Sequence, residues 1–335
     1  MEQKRVRIVD IAEELGVSTA TVSNVIHGKT RKISEETVRR VQALLEEKQY
    51  IPSMAGILLA QNNSRIIGVV INDHEKYEGR LLEDAFVASS LNCLSCEIEE
   101  AGYFMMVKRT KEWSEIARFA SMWNMEGLIV IGFCEQDYKK LRDAMRIPFV
   151  VYDGYLKERG RLCNLVIDHF DGGMQVGRYF YRLGHRKVLC ISDNKTYLDL
   201  ERYQGFQAGM ESGEADFMEI PMKKEVRKQF YQQNLEKLKS YSAIFAVSDY
   251  YAIDLMRFLQ EKGIRIPGEI SIAGFDDAPL CEMVYPALTT IRQDGAQRAK
   301  LAIRMLQKLK EENSLGETVT LPVTLIPRDS VKSLI

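Results

Sequence analysis

From Ile66 onward the chain is built of short, largely apolar runs separated by longer stretches of helical character. The runs are IIGVVI, FMMV, GLIVIG, FVVYD, VLCIS, AIFAVSD and ISIAGFDD. A strand that is apolar on both faces must be covered on both, so runs of this kind belong to parallel sheets flanked by helices. The stretches SRIIGVVIND and HRKVLCISDN stand as equivalent first strands of two similar halves. Two doubly wound sheets set face to face make a cleft at the carboxyl ends of their strands, where ligands bind. The 335 residues suffice for such a core and at least one smaller domain.

The segment before it has a different period. Ile8, Ile11, Ala12 and Leu15 recur at helical spacing, and Gly16-Val17 breaks the run. Ser18 is placed to cap a second helix that carries Val22, Val25 and Ile26 on its inner side. Gly28 ends it, and a basic loop, KTRK, follows. Ser34 then caps a third helix with Glu35 and Glu36 in its first turn and Val38, Val41, Leu44 and Leu45 inside. Three short helices make an independent all-α module over residues 1–50. The stretch YIPSMAGILLAQNNSR is too short for an autonomous helix and too apolar for a plain linker, which predicts a helix that needs a partner to order it.

Charge and composition narrow the function. The whole chain carries a formal charge of -1, but residues 1–65 hold ten Lys and Arg against eight Asp and Glu, a weak basic excess. The N-terminus, MEQKRVRIVDIAEEL, intersperses charges with its first apolar residues and is not a signal peptide. No apolar run approaches the roughly 20 residues that span a bilayer. A cytoplasmic, nucleoid-associated protein with no membrane partner is expected. Cys93 and Cys96 form a C-x-x-C, yet no second pair or thioredoxin-like context accompanies them, so they read as helix residues. No G-x-G-x-x-G, P-loop, G-x-S-x-G or H-E-x-x-H motif occurs, and the four histidines, at 27, 74, 169 and 185, are dispersed. No catalytic residue, metal site or cofactor is assigned. His185, in RLGHRK, is expected to be structural.

The sequences VDIAEELGVSTATVSNVIHG, YIPSMAGILLA, ERYQGF, GFDD and PALTTIRQ, in this order, resemble the lactose-repressor-like (LacI/GalR) transcription regulators over essentially the whole chain. The resemblance implies a helix-turn-helix headpiece (1–50), a hinge helix or linker (51–65) and a core (66–335) like that of periplasmic binding proteins. In the core, an N-subdomain of about 66–164 and 292–317 and a C-subdomain of about 165–291 and 318–335 are expected. The implied function is a repressor that binds a pseudo-palindromic operator in double-stranded DNA as a homodimer and answers to a small-molecule effector. The alternative is a sugar-binding transport protein, which would share the core but lack the headpiece.

The same resemblance assigns residues. The second helix enters the major groove, with Thr19, Ala20 and Asn24 at base-reading positions and Thr21, Ser23, His27 and Lys29 at phosphates. Asn can pair with adenine, and Ala or a Thr methyl can meet a thymine methyl. Ser53, Gly56 and Leu59 of the hinge complete the DNA set, Leu59 as a wedge in the minor groove. Asp153, Arg202, Ser248, Asp249 and Asp276 are the implied effector contacts. Carboxylates and a guanidinium converging in a cleft suit a hydroxyl-rich ligand, so a sugar is expected. Strand-end Asp residues also cap helices, which is the competing reading for Asp153 and Asp249.

Overall fold

The computed structural model describes residues 6–51, 64–133, 140–141, 143–154, 162–311 and 316–335. The chain folds as two compact units, Met1–Ser64 and Arg65–Ile335.

The first unit holds α1 (Ile8–Leu15), α2 (Thr19–Ile26) and α3 (Glu35–Glu47). Gly16, at φ +67°, closes α1 and turns the chain toward α2, a left-handed conformation that costs glycine no Cβ clash. The Ser18 hydroxyl accepts the Thr21 N–H at 3.0 Å, and Ser34 accepts the Thr37 N–H at 3.2 Å. Each cap contributes about 1 kcal/mol. Ile11, Ala12, Val22, Val25, Val41 and Leu44 form the buried centre, with Ile8, Leu15, Ile26, Val38 and Leu45 packed around it. The helical spacing of the sequence marks these inner faces correctly.

The second unit begins with β1 (Ile66–Asn72), α4 (Ala85–Glu100), β2 (Phe104–Thr110), α5 (Trp113–Met122), β3 (Gly127–Ile131), β4 (Phe149–Tyr152) and β5 (Leu162–Ile167). It continues with α6 (His169–Arg182), β6 (Lys187–Ser192), α7 (Tyr197–Gly209), β7 (Glu214–Glu219), α8 (Lys224–Gln233), α9 (Leu235–Lys239), β8 (Ala243–Ala246) and α10 (Asp249–Glu261). The last elements are β9 (Ser271–Ala273), α11 (Leu280–Met283), β10 (Thr290–Gln293), α12 (Gly295–Glu311), β11 (Thr318–Leu321) and β12 (Val323–Ile326).

The strands form a six-stranded sheet in the order β11-β5-β4-β3-β1-β2 and a four-stranded sheet in the order β7-β6-β8-β9, both parallel throughout. The antiparallel pair β10-β12 forms a separate two-stranded sheet. The chain therefore leaves the first sheet after β5, returns to that half through β10 and α12, and leaves again after β11. Both β5, which ends at Ile167, and β11, which begins at Thr318, lie in the first sheet, a few residues past the expected crossings near 164 and 317. Helix α4 packs on α12 and buries Val87, Leu94 and Ile98. Cys93 and Cys96 both lie on α4, Cys96 exposed, and partial burial pushes the Cys93 thiol above its ordinary pKa.

Two helices of the second half meet backbone to backbone. A Cβ on Gly173 of α6 would lie 1.9 Å from the Arg202 carbonyl oxygen, and one on Gly205 of α7 would lie 1.9 Å from that of Phe170. This contact sets the distance between α6 and α7, and with it the place of His169 and Arg202. No helix among the described residues is long and apolar enough to cross a membrane.

Candidate DNA-reading helix and ligand cleft

On α2 the residues opposite the buried Val22 and Val25 are Thr19, Ala20 and Asn24, all exposed, as is Lys29 beyond the helix. Thr21, Ser23 and His27 are half-buried along its flanks. The Thr21 hydroxyl is 2.9 Å from that of Ser18, so Thr21 also closes the N-terminal cap. The outer face is short-chained and free of acidic groups, and Lys29, Arg31 and Lys32 follow it. A helix of this kind can approach base edges closely while cations beside it meet phosphate. Ser53, Gly56 and Leu59 lie outside the described residues.

In the second unit the expected residues converge at strand ends. Asp153 follows β4, Asp276 follows β9, Ser248 and Asp249 open α10 after β8, and Arg202 lies on α7. Their roles differ. The Ser248 hydroxyl accepts the Tyr251 N–H at 3.4 Å and caps α10. Asp249 uses both oxygens inside the protein, accepting the Ala278 N–H at 2.8 Å and the Thr290 hydroxyl at 2.6 Å. It is 2 % exposed and ties the turn after β9 to β10. Asp249 thus supports the wall of the site, the role the helix-capping reading comes nearest to.

Arg202, Asp276 and Asp153 belong to one polar ring. The Gln293 side-chain N–H donates to Asp276 Oδ1 at 2.6 Å, and Arg298 Nη1 donates to Gln293 Oε1 at 3.3 Å. Arg298 Nη2 pairs with Asp153 Oδ1 at 2.7 Å, and His169 Nε2 lies 3.3 Å from the same oxygen. Arg202 Nε donates to His169 Nδ1 at 3.2 Å and Nη1 to the Val247 carbonyl at 2.5 Å, while its guanidinium stacks 3.8 Å above the Phe275 ring. The ring is open between its two ends. Arg202 Nη2 and Asp276 Oδ2 have no hydrogen-bond partner among the described residues, and the two charges lie near enough to influence each other. A cavity of about 70 Å³ adjoins this place, lined by Ala85, Phe86, Ser89, Ser90, Tyr152, Asp276, Gln293 and Arg298 among others. The buried Tyr152 hydroxyl likewise has no hydrogen-bond partner among the described residues.

Electrostatics follow from burial. Loss of water raises Asp276 well above an ordinary carboxyl, and the Arg202 charge offsets this only in part. Burial also opposes ionisation of Asp153, but the Arg298 charge and the His169 hydrogen bond outweigh it and hold Asp153 below its usual range. Burial pushes His169 down. The Asp153 hydrogen bond restores part of that, and the charges of Arg202 and Arg298 lower it further. His169 is therefore neutral, with its proton on Nε2 toward Asp153.

The sign of the resulting pH dependence is definite. The folded value lies below the unfolded one of about 6.5, so the unfolded chain takes up the proton first. The contribution of His169 is complete above that pH and declines as pH falls through and below it. His169→Gln, which keeps a donor and an acceptor, should lose less stability than the parent between about pH 7.5 and pH 5. Urea midpoints of both proteins at the two pH values check this; equal losses would contradict it.

Sequence reasoning missed His169, Gln293 and Arg298. Gln293 ends TTIRQ and His169 opens the helix that follows β5, positions that could have flagged them.

Residues 7–53 match the family of bacterial regulatory proteins of the lacI type, and residues 178–331 match the periplasmic binding protein-like domain. Similar curated proteins run the full length of the chain. The HTH-type transcriptional repressor PurR of Vibrio atlanticus (strain LGP32) is 27% identical, covering 98% of this chain and 99% of its own. That of Erwinia tasmaniensis is 29% identical over 97% and 96%. Residues 7–53 are thus a lacI-type regulatory domain, set ahead of a periplasmic binding protein-like core. The lacI-type match and the full-length repressor relatives mark the chain as a DNA-binding transcriptional regulator and not an enzyme. A transport protein would leave the match over residues 7–53 without a purpose. Among solved structures, the lac repressor dimer bound to operator and the anti-inducer ONPF has a TM-score of 0.83 at 23% identity, over 98% of this chain and 100% of that one. The CelR–cellobiose complex has a TM-score of 0.70 at 20% identity, over 97% and 100%. At those identities the likeness shows the fold, a LacI-type headpiece with a core of two parallel-sheet halves.

Proposed function

We propose that this LacI-family regulator is a repressor that binds an approximately palindromic operator as a homodimer and is controlled by a carbohydrate held in the cleft of its core. Residues 1–50 are its headpiece, 51–65 its hinge and 66–335 its effector-binding and dimerisation core, and it works on the nucleoid in the cytoplasm. The observation that carries the effector reading is the gap in the polar ring. The guanidinium donor of Arg202 and the carboxyl oxygen of Asp276 that lack partners among the described residues can both be satisfied by hydroxyls, which donate and accept. Structural neighbours described with bound ribose and with cellobiose support the same ligand class. Binding of the sugar releases the protein from DNA.

A thermal-shift panel of D-ribose, D-galactose, D-glucose and cellobiose, with amino acids and nucleosides as contrast, tests this. A sugar is expected to stabilise the protein; stabilisation by a contrast compound alone would overturn the carbohydrate assignment. For the dimer, exposed Leu280, Met283 and Tyr285 offer apolar surface at α11. Light scattering should give about twice the monomer mass, the stoichiometry that two half-sites demand.

Asn24→Ala should weaken binding to the selected operator by about 1–3 kcal/mol while altering binding to unrelated DNA far less, since a bidentate base contact discriminates and a phosphate contact does not. Gel-shift titrations on both DNAs check the difference. An equal loss on each would move Asn24 to the phosphate-contacting set.

A further inference from the structure

We propose that His169 is a positioning residue of the ligand cleft: it holds the Arg202 guanidinium at the open end of the polar ring and ties it to the other half of the core through Asp153 and Arg298. This rests on the effector reading above and goes beyond it, because His169 itself leaves the ligand gap to Arg202 and Asp276.

The geometry allows one arrangement of protons. Arg202 Nε always carries hydrogen, so at 3.2 Å His169 Nδ1 must be the acceptor. The remaining ring proton is then on Nε2, where Asp153 Oδ1 accepts it at 3.3 Å. Arg298 meets the same Asp153 oxygen at 2.7 Å and fixes it from the side of α12. His169 is 2 % exposed, so in the parent the imidazole rather than water satisfies the Arg202 Nε–H. The backbone contact at Gly173 and Gly205 prevents α6 from sliding along α7, which would separate the imidazole from the guanidinium.

The consequence is directional. Arg202 is held by His169 at Nε, by the Val247 carbonyl at Nη1 and by the Phe275 ring on one face, which leaves Nη2 as its donor without a partner among the described residues. Asp153 and Arg298 lie in the half built on the six-stranded sheet, and His169 and Arg202 in the half built on the four-stranded one. The His169–Asp153 bond therefore crosses between the halves. A ligand that draws on Arg202 pulls on a chain anchored in both, so occupancy of the gap and the setting of the two halves are linked through this imidazole.

Nuclear magnetic resonance of the full-length protein, labelled with ¹⁵N at histidine and arginine side chains, tests the proposal without a ligand. The His169 ring is expected to be neutral with its proton on Nε2, and the Arg202 Nε–H to exchange slowly with water. His169→Ala should speed that exchange by about ten-fold or more, and His169→Gln, which can accept from Arg202 and donate to Asp153, should restore most of the protection. A ring proton on Nδ1, or Arg202 exchange unchanged in His169→Ala, would overturn the proposal. If His169→Ala fails to fold, the parent tautomer and the Gln variant still decide it. The sugar panel is independent: if it fails while the tautomer and exchange results hold, the effector reading falls and the positioning of Arg202 stands.

Discussion

Arg202→Ala is expected to remove the ligand response while operator binding stays close to that of the parent. The substitution deletes a charged donor at the gap, along with the stack on Phe275 and the bond to His169. Loss of a charge-assisted hydrogen bond in a desolvated site costs about 2–3 kcal/mol, roughly 30- to 150-fold in affinity. The residues proposed to face DNA precede the second compact unit, so intrinsic operator affinity should be spared. Calorimetry with the sugar found by the panel, beside gel shifts with and without it, measures both quantities. Undiminished sugar affinity in this variant would place the ligand elsewhere.

Gly205→Ala, like the matching change at Gly173, should be among the most damaging single-methyl additions in the core. By helix propensity alone the change would stabilise α7 by about 1 kcal/mol. The added Cβ, however, would lie 1.9 Å from the Phe170 carbonyl oxygen and 3.0 Å from the Met174 backbone nitrogen. These are main-chain atoms of α6 and cannot rotate aside, so the two helices must separate. Overpacking of this kind costs about 3 kcal/mol or more, which exceeds the propensity gain. A urea titration followed by circular dichroism reads the loss, and the same displacement should shift the His169 and Arg202 side-chain resonances. A variant as stable as the parent would show that α6 and α7 tolerate separation.

Much of the fold was legible because burial on both faces leaves an unmistakable pattern. Strands such as GLIVI and VLCIS contain no polar residue until their ends, and the structure buries them throughout. Strands β5 and β7 were not read for opposite reasons. Asn164 interrupts LCNLVI with an amide that satisfies the backbone of Gly154, accepting its N–H at 2.9 Å and donating to its carbonyl. EADFME lies at the edge of its sheet and alternates charge with apolar residues, so it lacks the continuous apolar signature. The serine caps at Ser18 and Ser34 were legible because a cap is local.

The cleft was harder. Residue type marks Arg202 and Asp276 as polar groups among strand-end motifs, but Asp249 looks the same in sequence and turns inward to Ala278 and Thr290. Only the path of the backbone distinguishes them. His169 and Arg202 are brought together by the glycine contact between α6 and α7, a property of two distant segments that neither announces alone.

The most direct test of the account is selection of random duplex DNA by the purified full-length protein, followed by sequencing of the retained fragments. Enrichment of one approximately inverted repeat, weakened when α2 carries Asn24→Ala and falling steeply with salt as phosphate contacts release counterions, is the result the account predicts. Retention of fragments with no shared sequence or dyad, unchanged by that substitution, would contradict it.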